Sequence, residues 1–435
     1  MTRRLADPHV ALGVAAALVL VLEALRGPEP VATAPVWPVL QAAAAGLALL
    51  FAWRRQEALR LVPLLALVLA FHVGWVAVHL ALGVPSDWDS RVIYPPQGNA
   101  LLDGEYPRSE YPPGAVLLFA LEVLLGDGEA RVSNAFLMVP FHLATVGAIW
   151  ALRTRWSAWF AAAVGLWPLN AFFWEFRFDV VPTALLVVGL VLALRESWVL
   201  AGVAFGLGTA VKWTPSLAAA ALALWLVTHG AARVGARHVV AFAATVLAVH
   251  VPFLLWAREA VLHAYTEQGG RGITGESLPY IPLHVLGLAR VEGEFFDPAE
   301  VPSWANAAAA VAQALLLLVA LALVVRCARS LRVAVAFAAL MPVVFLLANR
   351  IFSPQFLVPL LASWAVAGAL LARSRVDQLL LGSVALAATL ANALVYPTQS
   401  QQWFKFSAVL FLFAIAASAW IVVRGANDRV LTRTP

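Results

Sequence analysis

Residues 84–116 read VPSDWDSRVIYPPQGNALLDGEYPRSEYPPGAV. The stretch lies between long apolar runs, yet it carries Asp87 and Asp89 two residues apart and two Tyr-Pro-Pro triplets, at 94–96 and 111–113. Whether the apolar segment behind it, 112–126, crosses a bilayer sets the topology of the whole chain. The chain is 62% hydrophobic and only 12% charged, with mean hydropathy +0.85. A soluble domain of this length needs far more polar surface, so the composition predicts an all-α polytopic membrane protein. It gives no sign of a nucleic-acid partner; the expected surroundings are membrane lipids.

A span needs about 20 apolar residues. The runs that qualify, or nearly so, are 9–25, 36–53, 61–83, 131–152, 157–174, 179–195, 198–211, 214–228, 238–256, 303–325, 333–349, 354–372, 378–395 and 404–423, which is about 14 helices. The run 198–211 is short and Gly-rich, and 214–228 starts just after Trp213-Thr214-Pro215, so these two read as tilted or broken helices. Arginines mark the cytoplasmic side: Arg3-Arg4, Arg54-Arg55-Arg60, Arg153-Arg155, Arg195, Arg233-Arg237, Arg326-Arg329-Arg332, Arg373-Arg375 and Arg424, Arg429, Arg433. The alternation closes only if 112–126 does not cross. Residues 84–130 therefore read as one long external loop with short interfacial helices. Both termini are expected in the cytoplasm, and the Ala, Val, Leu and Arg bias suits a bacterial plasma membrane. The N-terminus has the outline of a signal peptide, but Glu23 and Pro35 argue against cleavage. Four parts follow: an N-terminal hairpin 1–60, a module 61–256 with the external loop 84–130, an external loop 257–302 and a C-terminal module 303–435.

The external side collects the unusual residues. Asp87, Asp89, Arg91, Tyr94, Glu110 and Tyr111 come from the first loop, then Arg177 and Asp179, Lys212, His263, Arg271 and Glu276, and finally Arg350, Ser353 and Gln355. Each has a plain structural reading: a helix cap, an ion pair across a turn, a snorkelling lysine, an interfacial aromatic, prolines that shape a loop. His72, His79 and His142 read as packed histidines. Yet ionisable groups beside apolar helices are costly unless paired or used, and segments far apart in sequence bring them to one face. Two nearby carboxylates with Arg and Lys arriving from other loops suit a general base beside an anionic leaving group. The Gly-rich 269–275 segment is not a phosphate loop, since no strand precedes it and no Gly-Lys-Ser/Thr follows. The single cysteine, Cys327, excludes an internal disulfide and a cysteine metal site. No cofactor is expected, although two Asp in one loop leave a weakly bound divalent ion open.

The ordered series Asp89, Tyr94, Leu101-Leu102-Asp103-Gly104-Glu105-Tyr106-Pro107 and Glu110-Tyr111-Pro112-Pro113-Gly114 resembles the first external loop of bacterial polyprenyl-phosphate-sugar-dependent glycosyltransferases. These are GT-C-fold membrane enzymes, the mannosyltransferase-type proteins of glycosyltransferase family 87. The resemblance continues through Arg177-Phe178-Asp179 with Pro182, Ala201-Gly202, Lys212 with Pro215, Arg271-Gly272 with Glu276-Ser277, and Arg350 with Ser353-Pro354-Gln355, over roughly residues 61–372. It implies a GT-C-like bundle and a first-loop Asp as general base. Counting back from Leu101 favours Asp89; Asp87 is the second candidate, to position the acceptor or hold Arg91. It also implies an inverting transfer of a sugar, mannose first, from a polyprenyl-phosphate donor to a cell-envelope glycan or glycolipid. Arg271, Lys212 or Arg350 would hold the departing phosphate. Two features depart from the pattern: two spans precede the one leading into the loop, and Arg350 stands where Lys is expected, keeping charge but changing geometry. The competing readings are a lipid-linked sugar flippase or transporter, which would place charges at the bilayer midplane, and an acyltransferase, for which His263 is the only external candidate.

Overall fold

The structure, a computed structural model, describes residues 7–28, 34–126, 130–293 and 296–427. The described chain is helical: α1 (Pro8–Arg26), α2 (Val36–Arg54), α3 (Leu61–Ala81), α4 (Tyr94–Leu102), α5 (Pro113–Gly126), α6 (Ala130–Trp150), α7 (Ser157–Leu166), α8 (Ala171–Phe176), α9 (Val180–Leu194), α10 (Trp198–Val211), α11 (Pro215–Thr228), α12 (Ala232–Gly270), α13 (Tyr280–Val285), α14 (Ala305–Cys327), α15 (Leu331–Ala348), α16 (Leu357–Leu371), α17 (Arg375–Val395) and α18 (Trp403–Ala426). Among the described residues only two isolated bridges, Thr274 with Pro298 and Arg290 with Glu300, have β character. Every apolar run picked from the sequence is helical. Among the described residues, ten helices are long and apolar enough for a full crossing, or eleven if the bent pair 168–176 and 180–194 is one span, against roughly 14 expected.

Arg3, Arg4, Arg429 and Arg433 lie outside the described residues; arginines of the described short turns gather at one end of the bundle. Glu57 pairs with Arg155 at 3.7 Å and Arg375 at 3.1 Å, Arg195 donates to the Ala151 carbonyl at 3.2 Å, and Arg373 donates to that of Arg424 at 3.4 Å. Tryptophans tie the same end together, Trp156 Nε1 to Ala372 O at 2.6 Å and Trp225 Nε1 to Ala328 O at 2.9 Å. This two-ended arrangement is what the charge pattern predicts. α15 and α16 form the centre, with nearly every residue buried, while α12 and α14 sit at the periphery with few buried residues. The N-terminal pair packs onto the bundle, with Trp159 Nε1 donating to Leu49 O at 2.8 Å.

Two helices in the first loop meet the expectation for 84–130. α5 starts against the end of α10, where a Cβ at Gly114 would strike the Ala210 carbonyl, and finishes beside Ser133 at the start of α6. Both of its ends therefore lie at the end of the bundle opposite the arginines, and it does not cross. Within 257–302, the apolar helix of α12 ends at a break at Ala257 (φ −140°, ψ 57°), and a second helical piece runs from there to Gly270. Arg258, Glu259, His263 and Glu267 lie on that second piece.

Length differences create the recess that holds the site. α9, α10 and α11 have 15, 14 and 14 residues. At ~1.5 Å per residue they reach roughly 21–23 Å, short of the ~30 Å hydrocarbon thickness. Their ends at Asp179, Lys212 and Thr214 come together around one small cavity. α8 meets α9 at a 111° bend, with Arg177, Phe178 and Asp179 at the break. Irregular backbone at such a depth is tolerated where it is enclosed by protein or lines a cavity.

Candidate active site

A cavity of about 970 Å³ opens above that break. Its wall is assembled from the first loop (Asp87, Asp89, Arg91, Glu110, Tyr111), the break (Phe172, Arg177), the segment after α12 (Arg271, Thr274, Glu276), the turn before α16 (Ser353, Gln355) and the turn after α17 (Tyr396, Gln399). Ten of the residues expected from the sequence share this one wall.

The centre is a carboxylate pair bridged by one guanidinium. Arg177 Nη2 lies 2.8 Å from Asp87 Oδ2, and its Nη1 contacts Asp89 Oδ2. Asp87 is fully engaged: Oδ1 accepts from the Tyr396 hydroxyl at 2.6 Å, and Oδ2 also accepts the Asp89 amide at 3.2 Å. Asp87 thus holds Arg177 and not Arg91. Asp89 is freer. Its Oδ2 accepts from the Tyr94 hydroxyl at 3.4 Å, while no hydrogen bond among the described residues reaches Oδ1. Its side chain is 18% exposed against 2% for Asp87.

Local sequence explains the placement. Asp89–Ile93 is a single π-type turn, a form frequent at functional sites, feeding directly into α4. Pro95 and Pro96 sit in the first turn of α4, where the missing N–H groups have no intrahelical partner anyway. The first Tyr-Pro-Pro triplet therefore starts a helix, and Tyr94 itself is helical (φ −72°, ψ −49°) instead of extended. Its ring stacks on Phe119 at 4.4 Å and meets Tyr111 and Phe178 edge-on at 6.2 and 5.6 Å. Tyr94 is thus a buried floor under the carboxylates and does not line the cavity.

Around the rim, Arg271 Nη1 meets Glu110 Oε2 at 3.3 Å, linking the first loop to the segment after α12. Arg91 is exposed, lines the cavity and has no ion-pair partner among the described residues. Glu276 is 3% exposed, and its Oε2 has no hydrogen-bond partner among the described residues. Burial pushes its carboxyl well above the usual carboxylate range, with Arg271 pulling weakly the other way. This shift has a sign that can be tested. The folded state binds the proton more tightly than the unfolded one, so Glu276 costs stability as pH rises above the ordinary carboxylate range near 4.5. The thermal midpoint of Glu276→Gln, measured in nanodiscs, is expected to gain on wild type between pH 5 and pH 8 and to match it at the acid end. A constant difference across that range would contradict this environment.

Four expected residues lie elsewhere. Lys212 pairs with Asp179 at 2.6 Å over the Phe178 and Phe356 rings, beside a separate cavity of about 10 Å³. Arg350 donates to the Gly269 carbonyl at 3.0 Å, and its own carbonyl accepts the Thr274 amide at 2.9 Å, so it braces the 269–274 segment. His263 lies on α12 facing Glu267 at 3.9 Å. Of the three cations expected to meet a phosphate, only Arg271 lines the cavity, joined there by Arg91 and Arg177. Tyr396 escaped the sequence reading. Its signal was a fourth Tyr-Pro step, in a chain with only six tyrosines. Burial pushes its hydroxyl upward in pKa, keeping it a neutral donor to Asp87.

Together these features define a polytopic helical membrane protein whose polar cavity, rich in carboxylates and arginines, opens at one end of the bundle. The model of glycosyltransferase family 87 matches residues 110–354, more than half of the chain, so the protein belongs to that family and is a glycosyltransferase. Asp87, Asp89, Arg91 and Tyr396 lie outside the matched stretch but share the cavity with residues inside it. No curated protein matches the chain significantly.

Proposed function

We propose that the protein transfers a sugar, mannose first, from a polyprenyl-phosphate-linked donor to a hydroxyl of a cell-envelope glycan or glycolipid, with inversion. The observation that carries this reading is the Asp87–Arg177–Asp89 cluster opening into the arginine-rimmed cavity of a family 87 chain. Asp89 is the base in this scheme, because it has an uncommitted oxygen and Asp87 has none. The acceptor hydroxyl gives its proton to Asp89. Its oxygen then bonds to the anomeric carbon as the bond from that carbon to the phosphate oxygen breaks. Polyprenyl phosphate departs with the electron pair, facing Arg91 and Arg271. Charge developing on the leaving group is stabilised by cations already in place. Lys212, Arg350 and His263 have no direct role here, and Asp179 serves to hold Lys212. Glu276, Ser353, Gln355 and Tyr111 offer hydroxyl-binding groups along the wall. By the positive-inside rule the arginine end faces the cytoplasm of a bacterial cell, so the cavity faces outward.

The test uses purified protein in nanodiscs with radiolabelled polyprenyl-phosphate-mannose and a pool of envelope glycolipids. Label should move onto a glycolipid with release of polyprenyl phosphate. In sealed vesicles, label that crosses the bilayer unchanged, with no glycolipid product, would favour a lipid-linked sugar transporter, which the bent α8–α9 pair would also suit.

A further inference from the structure

From the sequence, His79 reads as a packed histidine and the N-terminal hairpin has no evident purpose. The structure joins the two. His79 Nε2 lies 2.6 Å from Glu23 Oε1 on α1, and its Nδ1 lies 2.6 Å from Glu175 Oε2 on α8. These three side chains are at most 1% exposed. Arg26 pairs with Glu23, Gln41 on α2 donates to Glu23 Oε2 at 2.6 Å, and Trp75 Nε1 donates to Glu175 Oε2 at 3.1 Å. An ionised carboxylate only accepts, so a ring facing one at each nitrogen favours the form with a proton on both, Nε2 hydrogen-bonded and Nδ1 in an ion-pair contact. The set is then neutral overall, with Glu23 and Glu175 balanced by His79 and Arg26. Glu23 and Arg26 balance each other on α1, as His79 and Glu175 do in the rest, and the His79–Glu23 contact joins the two pairs.

The chain reaches the reacting centre in two residues. α8 has only six residues, too few to hold its shape alone. Its anchors are the Glu175 contacts, the Asn134 amide on the Glu175 carbonyl at 2.5 Å, and the Phe176 ring over His79 at 6.3 Å. Directly after it comes Arg177, whose amide caps the helix on the Phe173 carbonyl at 3.0 Å and whose guanidinium bridges Asp87 and Asp89. Phe172, on the same short helix, lines both the active-site cavity and a water-sized cavity of about 30 Å³ shared with Glu23, Arg26 and Gln41. α1, α2 and His79 all lie outside the family-matched stretch, whereas Glu175 and Arg177 lie within it.

We propose that the N-terminal hairpin is a positioning element of the active site: through His79 and Glu175, Glu23 fixes α8 and so holds Arg177 against the two aspartates. The inference rests on the proposed transfer only where it concerns rate. Glu23, Arg26 and His79 touch no substrate. They set the place of the group that orients Asp89, while the groups facing the donor, Arg91 and Arg271, are on other elements. Loss of Glu23 should therefore slow the chemical step without weakening donor binding.

The test uses full-length protein in nanodiscs and two readouts. The first is amide hydrogen exchange without substrate, which decides the coupling even if the transfer reading fails. Glu23→Gln is expected to speed exchange at least tenfold in both 171–179 and 84–93, and Glu23→Asp, which restores the charge, should recover part of the protection. Leu47→Ala, at a membrane-facing position of α2 that is 70% exposed, should match wild type. If Glu23→Gln does not yield folded protein, Gln41→Leu keeps all four charges and should loosen the same two segments. The second readout is transfer per folded molecule, where kcat should fall at least tenfold with the donor KM within twofold of wild type. Faster exchange confined to the hairpin, with 171–179 and 84–93 unchanged, would overturn the proposal. So would a loss expressed entirely in KM.

Discussion

Asp89→Asn is expected to lower the single-turnover transfer rate by about 10²–10⁴, the usual contribution of a positioned base, while leaving the protein folded. Asparagine keeps the shape and can still accept from the Tyr94 hydroxyl, but it cannot take a proton. Arg177 remains neutralised by Asp87, so the cluster loses no more than one of its two ion pairs. Asp87→Asn should behave differently. It removes charge from a side chain that already spends both oxygens on Tyr396, Arg177 and the Asp89 amide. Its loss should act through Arg177's position, at roughly tenfold, well below a base's contribution. The measurement is product formed from pre-bound labelled donor on mixing with saturating acceptor. If Asp87→Asn were the dead variant and Asp89→Asn the mild one, the base would have to be Asp87, and the free oxygen of Asp89 would mark the acceptor site instead.

Much of this site was legible because membrane chains separate their charges. Short arginine-rich turns identify one end of the bundle, so the ionisable residues of the other loops fall at the opposite end, and the loop 84–116 announces itself by density alone. Distances were not legible. Lys212 and Arg350 carry the right charge in the right order, but Lys212 finds Asp179 at the foot of a short helix and Arg350 finds the Gly269 carbonyl. Sequence order places a cation near a site without telling which carboxylate it meets first. Tyr396 was invisible for a related reason: its partner Asp87 is 309 positions away, and nothing local to a Tyr-Pro step encodes that. The hairpin was invisible too, because Glu23 in an apolar run looks like a tolerated charge until His79 is seen opposite it. The helical piece that follows the break at Ala257 and runs to Gly270 is polar, and hydropathy marks only the apolar run before it.

The second large effect is expected at Arg177. Its side chain is 8% exposed, and it is the cation between two carboxylates of which one is 2% exposed. Removing one member of a buried pair costs about 3–5 kcal/mol, because the charge left behind has lost both its partner and its water. Arg177→Gln should therefore lower the thermal midpoint sharply in nanodiscs and abolish transfer. Arg177→Lys keeps the charge but presents a compact ammonium in place of a planar fork, so it is expected to recover stability in part and activity little. The decisive comparison is the double variant Arg177→Gln with Asp87→Asn. If the cost of losing Arg177 is the uncompensated charge on Asp87, neutralising that charge should return most of the midpoint, and the two changes should be strongly non-additive. Activity should stay lost, since nothing then orients Asp89 against the acceptor. A double variant as unstable as the single one would mean that Arg177 stabilises the α8–α9 break by contacts other than those with the carboxylates. In that case the carboxylate pair would be a passenger of the bend, and the bend itself, with its 111° turn, would be the feature that builds the site.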